Sequence, residues 1–151
     1  MVQNIRKFLA LDGSQMRLFI EAYVTLGVVR VAILTLPFKR LVKSLDQQKH
    51  AVAPPLNRVQ LSLAKSIGKA VSTAAGNTPW ESLCLAQAIT AQRLLSRRGV
   101  SGIFHLGATI GESDQEKLKA HAWLLCDDQI ITGEAGHEEY AVLSTFSWDG
   151  R

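Results

Sequence analysis

The sequence predicts an α+β protein in which a helical N-terminal unit precedes a central cysteine-bearing helix packed on an antiparallel sheet. Apolar residues recur at helical spacing up to about residue 98, and from residue 100 they alternate with a period of two. A polar segment at 46–56, which contains Pro54-Pro55, interrupts the helical part. Helices followed by strands are typical of the α+β class. We therefore predict a helical unit at residues 1–50 and a second unit at 51–151.

The bulk composition is that of a globular protein. The 151 residues are 47% hydrophobic and 20% charged, which is enough to form a core and gives no sign of disorder. The net charge of +4 comes largely from short clusters such as Arg97-Arg98, which suit helix C-terminal ends. Because no basic stripe is interleaved with aromatic residues, we expect no nucleic-acid partner.

The two cysteines, Cys84 and Cys126, are too few for a disulfide framework. The first residues lack the apolar run and cleavage site of a secretory signal. We therefore expect a cytoplasmic protein with free thiols.

A strongly apolar helix is predicted at about 15–36, with Ser14 as a candidate cap and Pro37 as its end. Glu21 and Arg30 interrupt the apolar run, and the uncharged piece between them is too short to cross a bilayer. We predict a core or interface helix rather than a transmembrane span.

Two further helices follow the polar segment. Asn57 is placed to cap a helix over 58–74. The segment Thr78-Pro79-Trp80-Glu81 has capping-box spacing with proline at the first helical position, so the second of these helices is predicted from there to about residue 98. Ser82 is the alternative cap for this helix.

The C-terminal third predicts an antiparallel meander. Its four predicted strands lie near 100–110, 118–125, 129–133 and 140–146, with a polar loop at 111–117.

Cys84 and His121 are the candidate reactive residues. A thiol near a helix N-terminus lies beside unpaired N–H groups and the positive end of the dipole, which favour the thiolate; the effect is strongest if Ser82 is the cap. His121 lies in the second predicted strand, and alternation puts Cys126 on the opposite face. A cysteine at a helix start and a histidine on a later strand suit a nucleophile and its base.

Glu134 is the candidate for a third role. Asp127-Asp128 has the form of a two-residue hairpin loop, and pairing outward from it places Glu134 opposite His121. A carboxylate in that position orients the imidazole and stabilises its protonated form. Asp127 and Asp128 remain the alternatives.

The spacing of the other histidines does not indicate a metal site. His105 and His137 do not combine with His121 and a cysteine at the close ligand spacing of a structural zinc motif. We treat His105 as structural and expect no metal or other cofactor.

Several motifs together resemble one known family. They are Leu36-Pro37-Phe38-Lys39-Arg40, Pro79-Trp80 before Cys84-Leu85-Ala86-Gln87-Ala88, Ala120-His121-Ala122-Trp123 and Tyr140-Ala141-Val142-Leu143. In this order they resemble the transglutaminase-like leader peptidases of lasso peptide biosynthesis, the protease part of the B proteins. The resemblance extends over nearly the whole chain.

The resemblance implies a transglutaminase/papain-like core and a cysteine protease that removes the leader from a ribosomally made precursor peptide. Cys84 would be the nucleophile and His121 the general base. The family has an aspartate shortly after the histidine strand, whereas this chain has Thr132-Gly133-Glu134, which again leads to Glu134.

The resemblance also implies partners: the precursor's leader peptide, a separate small leader-recognition protein and the cyclase that closes the ring. The apolar first helix is a candidate docking surface for such a partner. Acyl transfer to an amine, a non-catalytic peptide-binding module and a membrane-associated helical protein are the alternatives.

Overall fold

The computed structural model describes residues 6, 9–43, 45–48, 52–110 and 118–150. Its helices are α1 (Gly13–Thr35), α2 (Phe38–Leu41), α3 (Arg58–Ala75) and α4 (Cys84–Arg97). Its strands are β1 (Asp46–Gln48), β2 (Gly102–Thr109), β3 (Lys119–Cys126), β4 (Gln129–Thr132) and β5 (Ala141–Trp148), with a 3-10 turn at His137–Glu139. The α+β class is confirmed. The loop predicted at 111–117 lies outside the described residues.

Capping boxes set the starts of the two long N-terminal helices. Asp12 accepts the backbone N–H of Gln15 at 2.8 Å, and the Gln15 side chain accepts the N–H of Asp12 at 3.2 Å. The prediction that Ser14 caps α1 is therefore wrong, because its hydroxyl donates to Asp12 at 2.9 Å. Asn57 and Gln60 form the same box at α3, so the predicted cap there is confirmed.

The five strands form one antiparallel sheet in the order β1-β5-β2-β3-β4. Strands β2, β3 and β4 are consecutive neighbours, as predicted. The predicted meander is wrong for the last strand. β5 does not continue beside β4 but pairs with β2, on the side of β2 opposite to β3. β1 comes from the segment predicted to be a linker and pairs with β5 at the sheet edge, where it satisfies backbone groups of β5.

The helices and one face of the sheet share one hydrophobic core. Ala22 and Leu26 of α1, Leu94 of α4, and Phe104 and Leu124 of the sheet are all at most 1% exposed and belong to the same cluster. α1 therefore packs with the rest of the chain, and the boundary predicted at residue 50 stays a prediction. By length and composition alone α1 is a candidate membrane span, and it is the one such helix among the described residues. In the structure it contributes core residues.

Candidate active site

Cys84 occupies the first position of α4. Leu83 is the N-cap residue, with extended backbone at φ −77° and ψ −180° and no side-chain cap bond. The prediction that this helix starts after Thr78 is wrong, and so is the alternative that Ser82 is its cap. The Thr78 hydroxyl lies 3.1 Å from the Ala75 carbonyl and 2.8 Å from the Ser82 hydroxyl, and these contacts form a turn that precedes the helix.

The start of α4 presents backbone N–H groups beside the thiol. The first bond within the helix runs from the Gln87 N–H to the Leu83 carbonyl at 3.0 Å, so the N–H groups of the preceding turn have no partner inside the helix. The Gln87 side chain donates to the Ser82 carbonyl at 2.9 Å and closes the turn. Cys84 is half-buried against the core. A helix start of this kind favours negative charge on a nearby atom.

His121 is held by a backbone carbonyl. Its Nε2 lies 2.7 Å from the carbonyl oxygen of Gly133. Because a carbonyl oxygen can only accept, Nε2 is the nitrogen that donates, and in the neutral ring Nδ1 carries the lone pair. The arrangement leaves Nδ1 as the atom able to take a proton.

Two aromatic rings flank the imidazole of His121. The Trp123 ring stacks on it with centroids 5.7 Å apart and an interplanar angle of 24°. The Tyr140 ring lies at 5.0 Å. Trp123 is buried and also contacts the rings of His105 at 5.4 Å and His137 at 5.9 Å. Stacking and the carbonyl bond together restrict the orientation of the His121 ring.

The pairing that predicted Glu134 is wrong. The two-residue loop is confirmed, since Cys126 pairs with Gln129 across it. The next pair, Leu125 with Ile130, also agrees with the prediction. A bulge between Leu124 and Leu125 then shifts the register, so that Leu124 faces Thr132 instead of Ile131. The extra residue moves Glu134 out of register with His121. Its side chain is exposed, and within the described residues no hydrogen bond or ion pair joins its carboxylate to the His121 ring.

The alternative acids have structural contacts. The Asp127 carboxylate accepts the backbone N–H of Leu56 at 3.0 Å, and Asp127 itself adopts a positive φ of 56° in the turn. The Asp128 carboxylate accepts the side-chain N–H of Gln129 at 3.0 Å. Neither of these bonds involves His121.

Cys126 lies on the other face of β3, as predicted. It is fully buried in the core between the helices and the sheet. Burial, together with the negative charge of Asp127, raises the pKa of the Cys126 thiol to about 12. Both cysteines are free. Cys84, half-buried at a helix start, is therefore the more accessible thiol.

His105 is bonded within the sheet. Its Nδ1 lies 2.9 Å from the hydroxyl of Thr145 on β5, and burial lowers the pKa of its ring. In the part of the chain that the structure describes, no group of three histidine, cysteine or acidic side chains is arranged to hold a metal ion.

The helix that carries Cys84 packs against the strand that carries His121 and against β4. Across the described ranges, no hydrogen bond joins the Cys84 sulfur to the His121 ring. Nucleophile–base hydrogen bonds are often longer before a substrate binds. Sequence reasoning did not identify Gly133 as a site residue; the signal available was a glycine directly after a strand.

The fold and the site define an α+β protein with a thiol at a helix start and a carbonyl-held histidine on a neighbouring antiparallel strand. The chain matches the transglutaminase-like superfamily over residues 32–145 and belongs to it. That range includes both Cys84 and His121. No curated protein and no solved structure matches the chain significantly. The superfamily commonly includes cysteine proteases, and its fold also suits acyl transfer.

Proposed function

We propose that the protein is a cytoplasmic cysteine peptidase that removes the leader segment from a ribosomally made lasso precursor peptide. The observation that carries the proposal is the superfamily match over a range that includes both Cys84, at the start of α4, and His121, whose Nε2 is bonded to the Gly133 carbonyl so that Nδ1 is the basic nitrogen. The finer assignment to lasso leader removal rests on the motif resemblance given above.

The first half of the proposed reaction forms an acyl-enzyme. The Cys84 thiol gives its proton to Nδ1 of His121, and the sulfur attacks the scissile carbonyl carbon. Backbone N–H groups at the start of α4 stabilise the resulting oxyanion. The protonated His121 donates to the leaving amine, the C–N bond breaks, and a thioester remains on Cys84.

The second half releases the leader. Nδ1 of His121 takes a proton from water, and the hydroxide attacks the thioester carbon. The C–S bond breaks, the leader leaves with a new C-terminal carboxylate, and the proton returns to the sulfur. Reaction with an amine in place of water gives the alternative outcome, acyl transfer.

The role of Glu134 stays a prediction. The strand pairing that suggested it is wrong, so the remaining basis is the position of an acid soon after the histidine strand, in this chain Thr132-Gly133-Glu134.

Mass spectrometry of a precursor peptide incubated with the purified protein and its leader-recognition protein tests the proposal. Cys84→Ala should abolish cleavage, and Cys126→Ala, which changes the buried thiol, should retain it. Hydrolysis adds one water to the products, whereas transfer adds the amine supplied. A Cys84→Ala protein that still cleaves the peptide would exclude the proposed mechanism; a protein that binds the peptide without cleaving it would indicate a non-catalytic module.

We further propose that α1 docks the leader-recognition protein. Apolar side chains that are 50–68% exposed form a ridge along this helix, namely Ile20, Val24, Val28, Val31 and Leu34. Ile20, Val24 and Val28 of the ridge also line a groove of about 710 Å³ between α1 and α4. An exposed apolar ridge beside a groove between helices suits an amphipathic helix of a partner.

The charges of the groove indicate the character of the partner. Arg17, Arg93 and Arg97 line it, and Glu21, the one acidic residue among its described lining residues, is paired with Arg98 and Arg97. The groove therefore carries unbalanced positive charge, and we propose an acidic, amphipathic docking segment on the recognition protein. The cyclase is a further candidate partner of the complex.

A titration of the recognition protein onto matched variants tests the docking surface. Val28→Glu places a negative charge on the ridge and should weaken binding at least about tenfold, whereas Val59→Glu, at a 78% exposed valine on α3, should not. Binding should also weaken as salt is added. Equal affinity of the two variants would exclude α1 as the docking surface.

A further inference from the structure

The His121–Gly133 hydrogen bond is a built feature of the fold. The 2.7 Å bond joins Nε2 of His121 on β3 to a carbonyl that follows the last residue of β4. The pair that follows the bulge, Leu124 with Thr132, comes directly before Gly133 on β4's side of the contact. A shift of the register by one residue would bring a different carbonyl to the ring.

The position of Gly133 permits only glycine, for two independent reasons. Its φ of +78° lies in the region that L side chains rarely adopt. An added Cβ would also lie 2.4 Å from the Ala122 carbonyl oxygen and 2.8 Å from the Trp123 Cβ. The backbone of Gly133 is thus pressed against β3 beside the histidine, and the absence of a side chain is what allows the carbonyl to reach the ring.

The neighbouring acid is used differently. Glu134 has an exposed side chain, and its backbone carbonyl lies 2.7 Å from Nδ1 of His137. Two successive carbonyls therefore contact imidazole rings, and each fixes one ring nitrogen.

We infer that the Gly133 carbonyl is the positioning group for His121 and takes the place that a side-chain carboxylate has in a Cys-His-acid triad. It fixes the tautomer with the proton on Nε2 and leaves Nδ1 as the base. Trp123 and Tyr140 hold the ring plane while the carbonyl holds its rotation. This inference competes with the predicted role of the Glu134 carboxylate, and only one of the two groups can orient the ring. The catalytic part of this inference rests on the function proposed above; the tautomer does not.

The tautomer is tested without any substrate. In uniformly ¹⁵N-labelled protein at about pH 8, where imidazole rings are largely neutral, long-range ¹H–¹⁵N spectra distinguish the protonated from the bare ring nitrogen. The His121 signals are assigned by their loss in His121→Gln. We expect Nε2 protonated and Nδ1 bare; a proton on Nδ1 would overturn the inference.

Matched glycine variants test the contact. Gly133→Ala should give mixed tautomers at His121 and lower the cleavage rate about a hundredfold or more. Gly136→Ala is the control, since Gly136 has a similar φ of +73° and nothing within 4 Å of an added Cβ. It should keep the wild-type tautomer and cleavage within about threefold. Wild-type behaviour of Gly133→Ala in both readouts would overturn the inference.

Glu134→Gln decides between the carbonyl and the carboxylate and does not depend on whether Gly133→Ala folds. We expect cleavage within about threefold of wild type. If cleavage depends on Cys84 but falls about a hundredfold or more in Glu134→Gln, the proposed function stands and the carbonyl inference fails. If Cys84→Ala still cleaves the peptide, the proposed function fails, and the spectra still report on the tautomer.

Discussion

Glu21 of α1 and Arg98 at the end of α4 form a two-point salt bridge across 77 residues of sequence, with N–O distances of 3.1 and 2.5 Å. Arg97 adds a longer contact at 3.5 Å. The hydrogen bond from Arg98 is the main cause that holds the pKa of Glu21 below its ordinary value of 4.5. This contact joins the N-terminal helix to the end of the cysteine-bearing helix.

Loss of the Glu21 charge should destabilise the protein. We expect Glu21→Gln to lower the free energy of unfolding near neutral pH by about 1–2 kcal/mol, because Arg98 loses a charged, two-point partner. Glu81→Gln is the control: Glu81 is 72% exposed and 4.0 Å from Arg30, and its loss should have almost no effect. Urea unfolding measures both.

The same pair predicts a pH dependence of defined sign. Because the folded-state pKa of Glu21 is lowered, its contribution is complete above the ordinary value of 4.5 and is lost as the pH falls through the lower, folded-state value. Wild type should therefore lose stability more steeply than Glu21→Gln between about pH 5 and pH 3. Parallel curves for the two proteins would show that the pair makes no net contribution.

The two cysteines should differ sharply in reactivity. Cys126 is fully buried with a pKa raised to about 12, so its thiol stays protonated through the neutral range, and access to it requires unfolding. Iodoacetamide applied to the native protein should modify Cys84 first, and in denaturant it should modify both. Peptide mapping by mass spectrometry identifies the sites, and early alkylation of Cys126 would contradict its buried position.

Asp127 should be required for the hairpin, whereas its neighbour should not. Asp127→Ala removes the acceptor of the Leu56 N–H and puts alanine at a positive φ, so we expect a loss of about 1–3 kcal/mol. Asp128 is exposed, and Asp128→Ala should cost less than about 0.5 kcal/mol. Thermal unfolding of both variants tests this; equal effects would show that the Asp127 bond is not stabilising.

The close approach of α3 to β4 should make Gly68 intolerant of a side chain. An added Cβ would lie 2.5 Å from the Ile131 carbonyl oxygen, so Gly68→Ala should destabilise by about 1–3 kcal/mol in spite of the higher helix propensity of alanine. Gly76→Ala, whose Cβ would meet only ordinary contacts from 3.6 Å, should be nearly neutral. Chemical denaturation distinguishes the two, and a neutral Gly68→Ala would contradict the packing of α3 on β4.

Local sequence patterns were sufficient to predict several features of the fold. The change of period near residue 100 predicted the α+β class, and the Asn57 cap and the Asp127-Asp128 loop were read from residues within a few positions of each other. Strand alternation also placed Cys126 away from His121. These features depend on short-range chemistry: capping, turn geometry and the two-residue repeat of a strand.

The start of α4 illustrates where local patterns failed. Thr78-Pro79-Trp80-Glu81 has capping-box spacing, yet the helix begins at Cys84, because Thr78 contacts Ala75 and Ser82 and Trp80 packs on Tyr23 with ring centroids 5.4 Å apart. These contacts depend on α1 and α3 being in place. The tertiary fold thereby put Cys84 in the first turn, a position the sequence had left open.

By itself, the sequence determined the class, the Asn57 cap and the hairpin loop, and it predicted Cys84 and His121 as the two residues for thiol chemistry. Only the tertiary structure decided how β3 and β4 pair, and therefore what holds His121. A single bulged residue exchanges every later cross-strand partner, and the alternation and loop length used to predict the pairing contain no information on where such a residue lies. For that reason the sequence indicated Glu134, and the structure put the Gly133 carbonyl at the ring.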